Sequence, residues 1–121
     1  GDFYSINCGD SRLYRLRNQK MEQLTTDHTF KEKTETGKRS HIITNCIGGG
    51  CKNSFVDMVR MTDDILSGDI YLLCSDGLTD MLSDKGIGTM LCSGADADML
   101  CNAAIHAGGF DNVSACIIDV E

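Results

Sequence analysis

The sequence predicts an α+β layered domain. Short apolar or alternating segments recur through the first 74 positions, helix-spaced apolar residues follow Asp76-Gly77, and a β-branched run over 113–120 closes the chain. Strands, then a helical pair, then one strand are the order of an α+β layering rather than of alternating parallel units. At 121 residues the chain has material for a single core.

Residues 2–8, 11–17 and 20–25 mix apolar and polar positions over short lengths. With Gly9-Asp10 and Asn18-Gln19 as turns, they predict an antiparallel meander. From Thr25 to His41 the only large apolar side chain is Phe30, which predicts a long, mobile surface loop with no anchor in a core. Residues 42–47 and 55–61 read as strands on either side of Gly48-Gly49-Gly50, a run suited to a sharp reversal. Ile70–Cys74 is continuously apolar, the pattern of a strand covered on both faces. Residues 78–82 then predict a helical turn, 84–92 a short helix and 96–107 a longer one. In the last, Met99, Leu100, Ala103, Ala104 and Ala107 share a face, and Gly108-Gly109 supplies the stop.

A formal net charge of -7, with no basic run or aromatic platform, excludes nucleic acid and anionic membrane as electrostatically supported partners. Divalent cations and basic peptides suit such a surface better. No signal peptide and no run of some 20 apolar residues is present. The seven cysteines are odd in number, form no C-x-x-C pair and sit mostly in apolar runs, which predicts reduced, buried thiols in a cytoplasmic protein. His28, His41 and His106 make no zinc-ligand spacing with them. The chain opens on Gly1 rather than Met and is expected to be cut from something longer.

Asp10, Asp76 and Asp111 carry the chemistry. Each lies where a predicted strand meets a turn, beside a Gly or Asn, so each singly is first a turn former. Short carboxylates leaving a sheet rim can also converge on one point, and oxygen-only sets of that kind favour hard cations such as Mg²⁺ or Mn²⁺.

Four segments occur in a telling order: Asn7-Cys8-Gly9-Asp10-Ser11-Arg12, Leu24-Thr25-Thr26-Asp27-His28, Gly68 through Asp80 (GDIYLLCSDGLTD), and Gly108-Gly109-Phe110-Asp111-Asn112-Val113-Ser114. Across nearly the whole chain this resembles the C-terminal half of the type 2C, metal-dependent family of serine/threonine protein phosphatases. The resemblance implies a β-sandwich of two antiparallel sheets flanked by helices, here a single partial domain over 1–121 with a flap-like loop at about 26–54. It implies two or three Mg²⁺ or Mn²⁺ ions that activate a water for attack on phosphoserine or phosphothreonine in a protein substrate. It matches Asp76 and Asp111 to metal ligands and Asp10 to the residue that helps hold a third, weaker ion.

Around these, Asn112 is a candidate to orient Asp111, and Gly77 lies beside Asp76. Arg12 is either a substrate contact or a partner of a nearby carboxylate, and His28 either a proton donor at the flap or a turn residue. The family's N-terminal half would add a phosphate-binding Arg and an Asp that bridges two ions, and neither has a counterpart here. The chain alone is therefore expected to hold an incomplete centre with little activity, and to self-associate or pair with the missing half through uncovered apolar strand faces. A non-catalytic phosphatase-like binding or regulatory module is the alternative reading. A structural, thiol-rich domain is a third.

Overall fold

The computed structural model describes residues 1–33 and 39–121. In chain order the strands are β1 (Tyr4–Asn7), β2 (Arg12–Arg17), β3 (Lys20–Gln23), β4 (Thr29–Lys33), β5 (Arg39–Ile43), β6 (Asp57–Arg60) and β7 (Ile70–Cys74). Three helices follow, α1 (Asp76–Thr79), α2 (Asp84–Cys92) and α3 (Ala97–His106), and β8 (Ala115–Asp119) is last.

A four-stranded antiparallel sheet in the order β3-β2-β7-β8 is the centre of the molecule. The two inner strands are the most buried ones, as pairing on both edges leads one to expect. Alternation along them sends Tyr14 and Leu16 of β2, and Leu72 and Cys74 of β7, to one face. There they meet Leu78, Ile87, Leu91, Leu100 and Ala104 from the three helices. Leu72, Leu78, Ile87 and Leu100 are fully buried. Both longer helices start on a side-chain cap: Ser83 Oγ accepts from Gly86 N at 3.1 Å and Asp96 Oδ1 from Met99 N at 2.8 Å.

The opposite face of the sheet is partly open, although Leu13 and Tyr71 on it are buried. Leu73 and Ile118 are 43% and 48% exposed, and with Phe3, Ile6, Met61 and Val120 they line an apolar groove of about 1180 Å³ between the sheet and the β1–β6 ribbon. Ile70–Cys74 is thus packed on one face and half-uncovered on the other, rather than covered on both.

Four further expectations change. The meander is interrupted: β2 pairs with β3 as expected, but β1 pairs with β6, Tyr4 opposite Arg60, in a separate two-stranded sheet. Local turn signals do not reveal a partner some 55 residues away. The predicted loop of 25–41 contains β4, which pairs with β5 from Thr29↔Ile43 to Lys33↔Arg39. Backbone pairing with a neighbouring strand needs no buried side chain, so the hydrophobic pattern is silent about it. Residues 34–38 of that predicted loop lie outside the described residues. Of the seven cysteines, all free, only Cys74 is buried, while Cys92 and Cys116 are exposed. On α3, Leu100 and Ala104 are buried but Met99 is 55% exposed, because a helix end laid on a sheet covers a narrower stripe than the sequence offered.

An ion pair ties the rim of the sheet. Arg17 Nε and Nη2 each lie 2.7 Å from the carboxylate of buried Asp69, which also accepts from Leu66 N at 2.9 Å and Tyr71 Oη at 3.2 Å. The Arg17 hydrogen bonds hold the Asp69 carboxyl well below the usual carboxylate range. In the unfolded chain an Asp takes up its proton near pH ~3.9. The unfolded state therefore binds more protons than the folded one below about pH 4, so this contribution is full above that pH and fades as acid is added. Asp69→Asn is expected to lower the urea midpoint at pH 7 and to flatten its fall from about pH 4 to pH 2; an unchanged acid slope would refute the linkage.

Candidate functional site

Register delivers the carboxylates. β2 and β7 pair with Arg12 opposite Cys74, so Asp10 and Asp76 leave the same end of the sheet, each two residues beyond that last pair. β8 is set against β7 with Ala115 opposite Cys74. The register is continued by two bonds past the strands, Ser75 N to Ser114 O at 3.0 Å and Ser114 N to Ser75 Oγ at 3.0 Å. The loop 108–114 is thereby held against the start of α1. Gly77 is what lets it approach: a Cβ there would lie 2.1 Å from the backbone oxygen of Asn112.

The result is a cleft of about 310 Å³ that Asp10, Arg12, Asp27, Thr29, Asp76 and Asp80 help to line. Its charges are unequal. Asp27 is gripped by Arg12, with Nε to Oδ1 at 2.9 Å and Nη2 to Oδ2 at 2.6 Å, and it also accepts from Gln23 Nε2 at 2.9 Å. Arg12 Nη1 turns away to Tyr14 Oη at 2.8 Å. Asp10 instead faces Asp76. Burial, then the negative charge of Asp76 and a hydrogen bond to its side chain, raise the Asp10 carboxyl above the usual carboxylate range.

Of the three predicted ligands, Asp10 and Asp76 are brought together. Asp111 lies on the adjoining loop, exposed and outside the cleft lining, with its Oδ1 accepting from the Asn112 backbone N at 2.7 Å. The contact of Asn112 with the Asp111 carboxylate is made by its main-chain N. Among the described residues no three acidic, His or Cys side chains close on one point as a complete metal cage would. His28 is buried. Its Nδ1 lies 3.0 Å from Gly9 N and 2.9 Å from Asn45 Nδ2, and its Nε2 lies 2.7 Å from Asp57 Oδ2. Asp27 and Asp80 were not singled out as site residues. The i, i+4 spacing of Asp76 and Asp80 on a helical turn was the available signal for one, and the motif Thr25-Thr26-Asp27-His28 for the other.

No family model matches the chain. The chain is 34% identical over 125 residues to the serine/threonine protein phosphatase PstP of Mycobacterium tuberculosis, covering 95% of this chain and 24% of that protein. It is 32% identical over 130 residues to the protein phosphatase PhpP of Streptococcus pneumoniae, covering 95% and 52%. The solved serine/threonine phosphatase of S. agalactiae superposes with a TM-score of 0.81 at 28% identity over 99% of this chain and 55% of that one. The chain is homologous to serine/threonine protein phosphatases of the type 2C, or PPM, family.

It corresponds to the C-terminal portion of those structures and spans between a quarter and about half the length of the curated relatives it matches. The antiparallel sheets with a few helices follow the family architecture. The catalytic domain of PstP, solved in complex with two manganese ions, superposes with a TM-score of 0.63 at 30% identity, over 96% of this chain and 54% of that one. The Gly77 contact yields a direct check on this geometry. Gly77→Ala drives a methyl into the Asn112 backbone and is expected to cost about 1–3 kcal/mol in urea unfolding; a midpoint equal to that of the unaltered chain would mean that the two loops part freely.

Proposed function

We propose that this chain supplies one side of the active centre of a metal-dependent phosphatase acting on phosphoserine and phosphothreonine in proteins. One observation carries the reading: in a chain related to this family, Asp10 and Asp76 face each other across a cleft. The donor chemistry fits a hard divalent ion, Mg²⁺ or Mn²⁺, which accepts carboxylate oxygens of this kind. The manganese-bound relative favours the same choice. Asp10 and Asp76 would hold the ion, with Asp111 joining from the adjoining loop. When bound, such ions supply an acidic water and neutralise charge on a phosphoryl group.

The chain's own residues have narrower tasks. The β7–β8 register and the Gly77 contact fix the direction of Asp76. Arg12 is occupied by Asp27, so it neutralises the cleft wall and leaves phosphate to other groups. Both ring nitrogens of His28 are engaged, which makes it a strut beneath Gly9 rather than a proton donor into the cleft. Two carboxylates and a third nearby are too few for a family centre, and we infer low turnover by these 121 residues alone. We further infer that the apolar groove behind the sheet is covered by a partner polypeptide carrying the rest of the family fold, or, without it, by a second copy. A reducing cytoplasm suits the seven free cysteines. Among the described residues no helix is long and apolar enough to cross a membrane.

Millimolar Mn²⁺ is expected to raise the melting temperature by a few degrees. Asp76→Asn should abolish that rise and Asp98→Asn on exposed α3 should leave it; no shift, or one indifferent to Asp76, overturns the cation reading. Brisk hydrolysis of p-nitrophenyl phosphate by the isolated chain would defeat the inference of an incomplete centre. In sedimentation velocity the chain should move toward dimer as its concentration rises, and a strict monomer at all concentrations would count against the groove as a docking face.

A further inference from the structure

The loop between β5 and β6 brings two thiols together. Cys46 and Cys51 have their sulfurs 2.9 Å apart, about 0.9 Å more than an S–S bond of ~2.05 Å. The intervening Ile47-Gly48-Gly49-Gly50 makes this possible. All three glycines have positive φ, +81°, +60° and +85°, and the turn is closed by Cys51 N donating to Gly48 O at 3.2 Å. A Cβ on Gly49 would stand 3.2 Å from the Cys46 sulfur, crowding the thiol that now faces Cys51.

The ends of the loop are pinned as well. Asn45 Oδ1 accepts from Phe55 N at 3.1 Å, Asn45 Nδ2 donates to Phe55 O at 2.8 Å, and Ser54 Oγ donates to Cys46 O at 2.5 Å. Most of the entropy of closing the ring is therefore already spent in the folded chain. Both thiols are half-buried, while the loop residues around them are exposed, so small solutes reach them.

We infer that Cys46 and Cys51 are a thiol–disulfide modification site, oxidised reversibly by a low-molecular-weight disulfide. Of the two thiols it is Cys46 that is held by a backbone carbonyl. Its Sγ donates to Gly48 O at 3.2 Å, and the hydrogen bond with Cys51, then burial, push its pKa up. Cys51 is accordingly the first nucleophile. Its thiolate attacks one sulfur of the small disulfide, breaking that S–S bond and releasing one small thiolate, which takes up the proton that Cys51 has lost. The Cys46 sulfur, on losing its proton, attacks the Cys51 sulfur of the mixed disulfide and expels the second small thiol. Two protein thiols become one disulfide and the oxidant becomes two thiols, so electrons and protons balance. Because the ring spans so few residues, the bond restrains little of the unfolded chain and is expected to reduce readily rather than serve as a permanent staple.

The loop is joined to the acidic cleft by short links. Asn45, next to Cys46, touches His28, and His28 holds the Gly9 that precedes Asp10. The inference itself rests on the loop geometry and is independent of phosphatase activity.

The test is equilibration of the purified chain in oxidised and reduced glutathione at graded ratios, read by thiol titration, intact mass and non-reducing peptide mapping. The expected result is loss of two of the seven thiols, a mass decrease of about 2 Da with a Cys46–Cys51 link, and full reversal by dithiothreitol. Cys46→Ser should trap Cys51 as its glutathione adduct, and Cys8→Ser should leave closure intact. The electrostatic influence of Cys8 on Cys46 makes it the nearest rival. A mapped bond using Cys8, a bond between two chains, or retention of all seven thiols in excess oxidised glutathione would each overturn the inference.

Discussion

Strand β7 is the member on which the rest of the molecule depends. Its five residues, Ile70–Cys74, pair with β2 on one edge and β8 on the other, and its helix-side residues Leu72 and Cys74 sit in the core with Leu78 and Leu100. Asp76 leaves its end directly, Asp10 lies two residues before the β2 residue paired with Cys74, and Asp111 lies four residues before the β8 residue paired with it. A slip of one residue in either ladder would turn the core face outward and part these carboxylates. Fold and site thus share one constraint, the register of three strands.

Charge is distributed with the same economy. The chain carries a formal charge of -7, yet several of its acids are matched: Asp69 by Arg17, Asp27 by Arg12, Glu22 and Asp64 by Arg15, and Asp2 and Asp63 by Arg60. The buried Asp69 pair is the one that matters for stability, since an unpaired charge there would be costly, whereas exposed pairs contribute little. Asp10 and Asp76 are placed against each other at the cleft, and the neighbouring Arg12 is paired with Asp27.

The hydrophobic pattern made the core elements readable. Ile70–Cys74 and 84–92 were found at their observed bounds, and 96–107 and 113–120 to within two residues at each end, because each buries a stripe whose spacing is a direct record of its geometry. Strands that bury little were found without their partners, as with β1 and β6, or not at all, as with β4. β1 and β6 are largely exposed, and β4 with β5 leaves Phe30, Ile42 and Ile43 half in solvent, so their pairing left no periodic trace. The cysteines misled for a related reason: an apolar neighbourhood in sequence gave no measure of depth, and six of seven lie outside the core.

By itself the sequence determined which residues are chemically able, Asp10, Asp76 and Asp111 among them, and the order of motifs that marks their family, because residue type and spacing are local properties. Only the tertiary structure decided how they are used. It put Asp10 against Asp76 and left Asp111 a loop away, enlisted Asp27 and Asp80, closed both nitrogens of His28 with hydrogen bonds, and set the Cys46 and Cys51 sulfurs 2.9 Å apart. Each of these is a distance between groups, set by strand register and turn conformation acting together, and no single segment of the chain contains it.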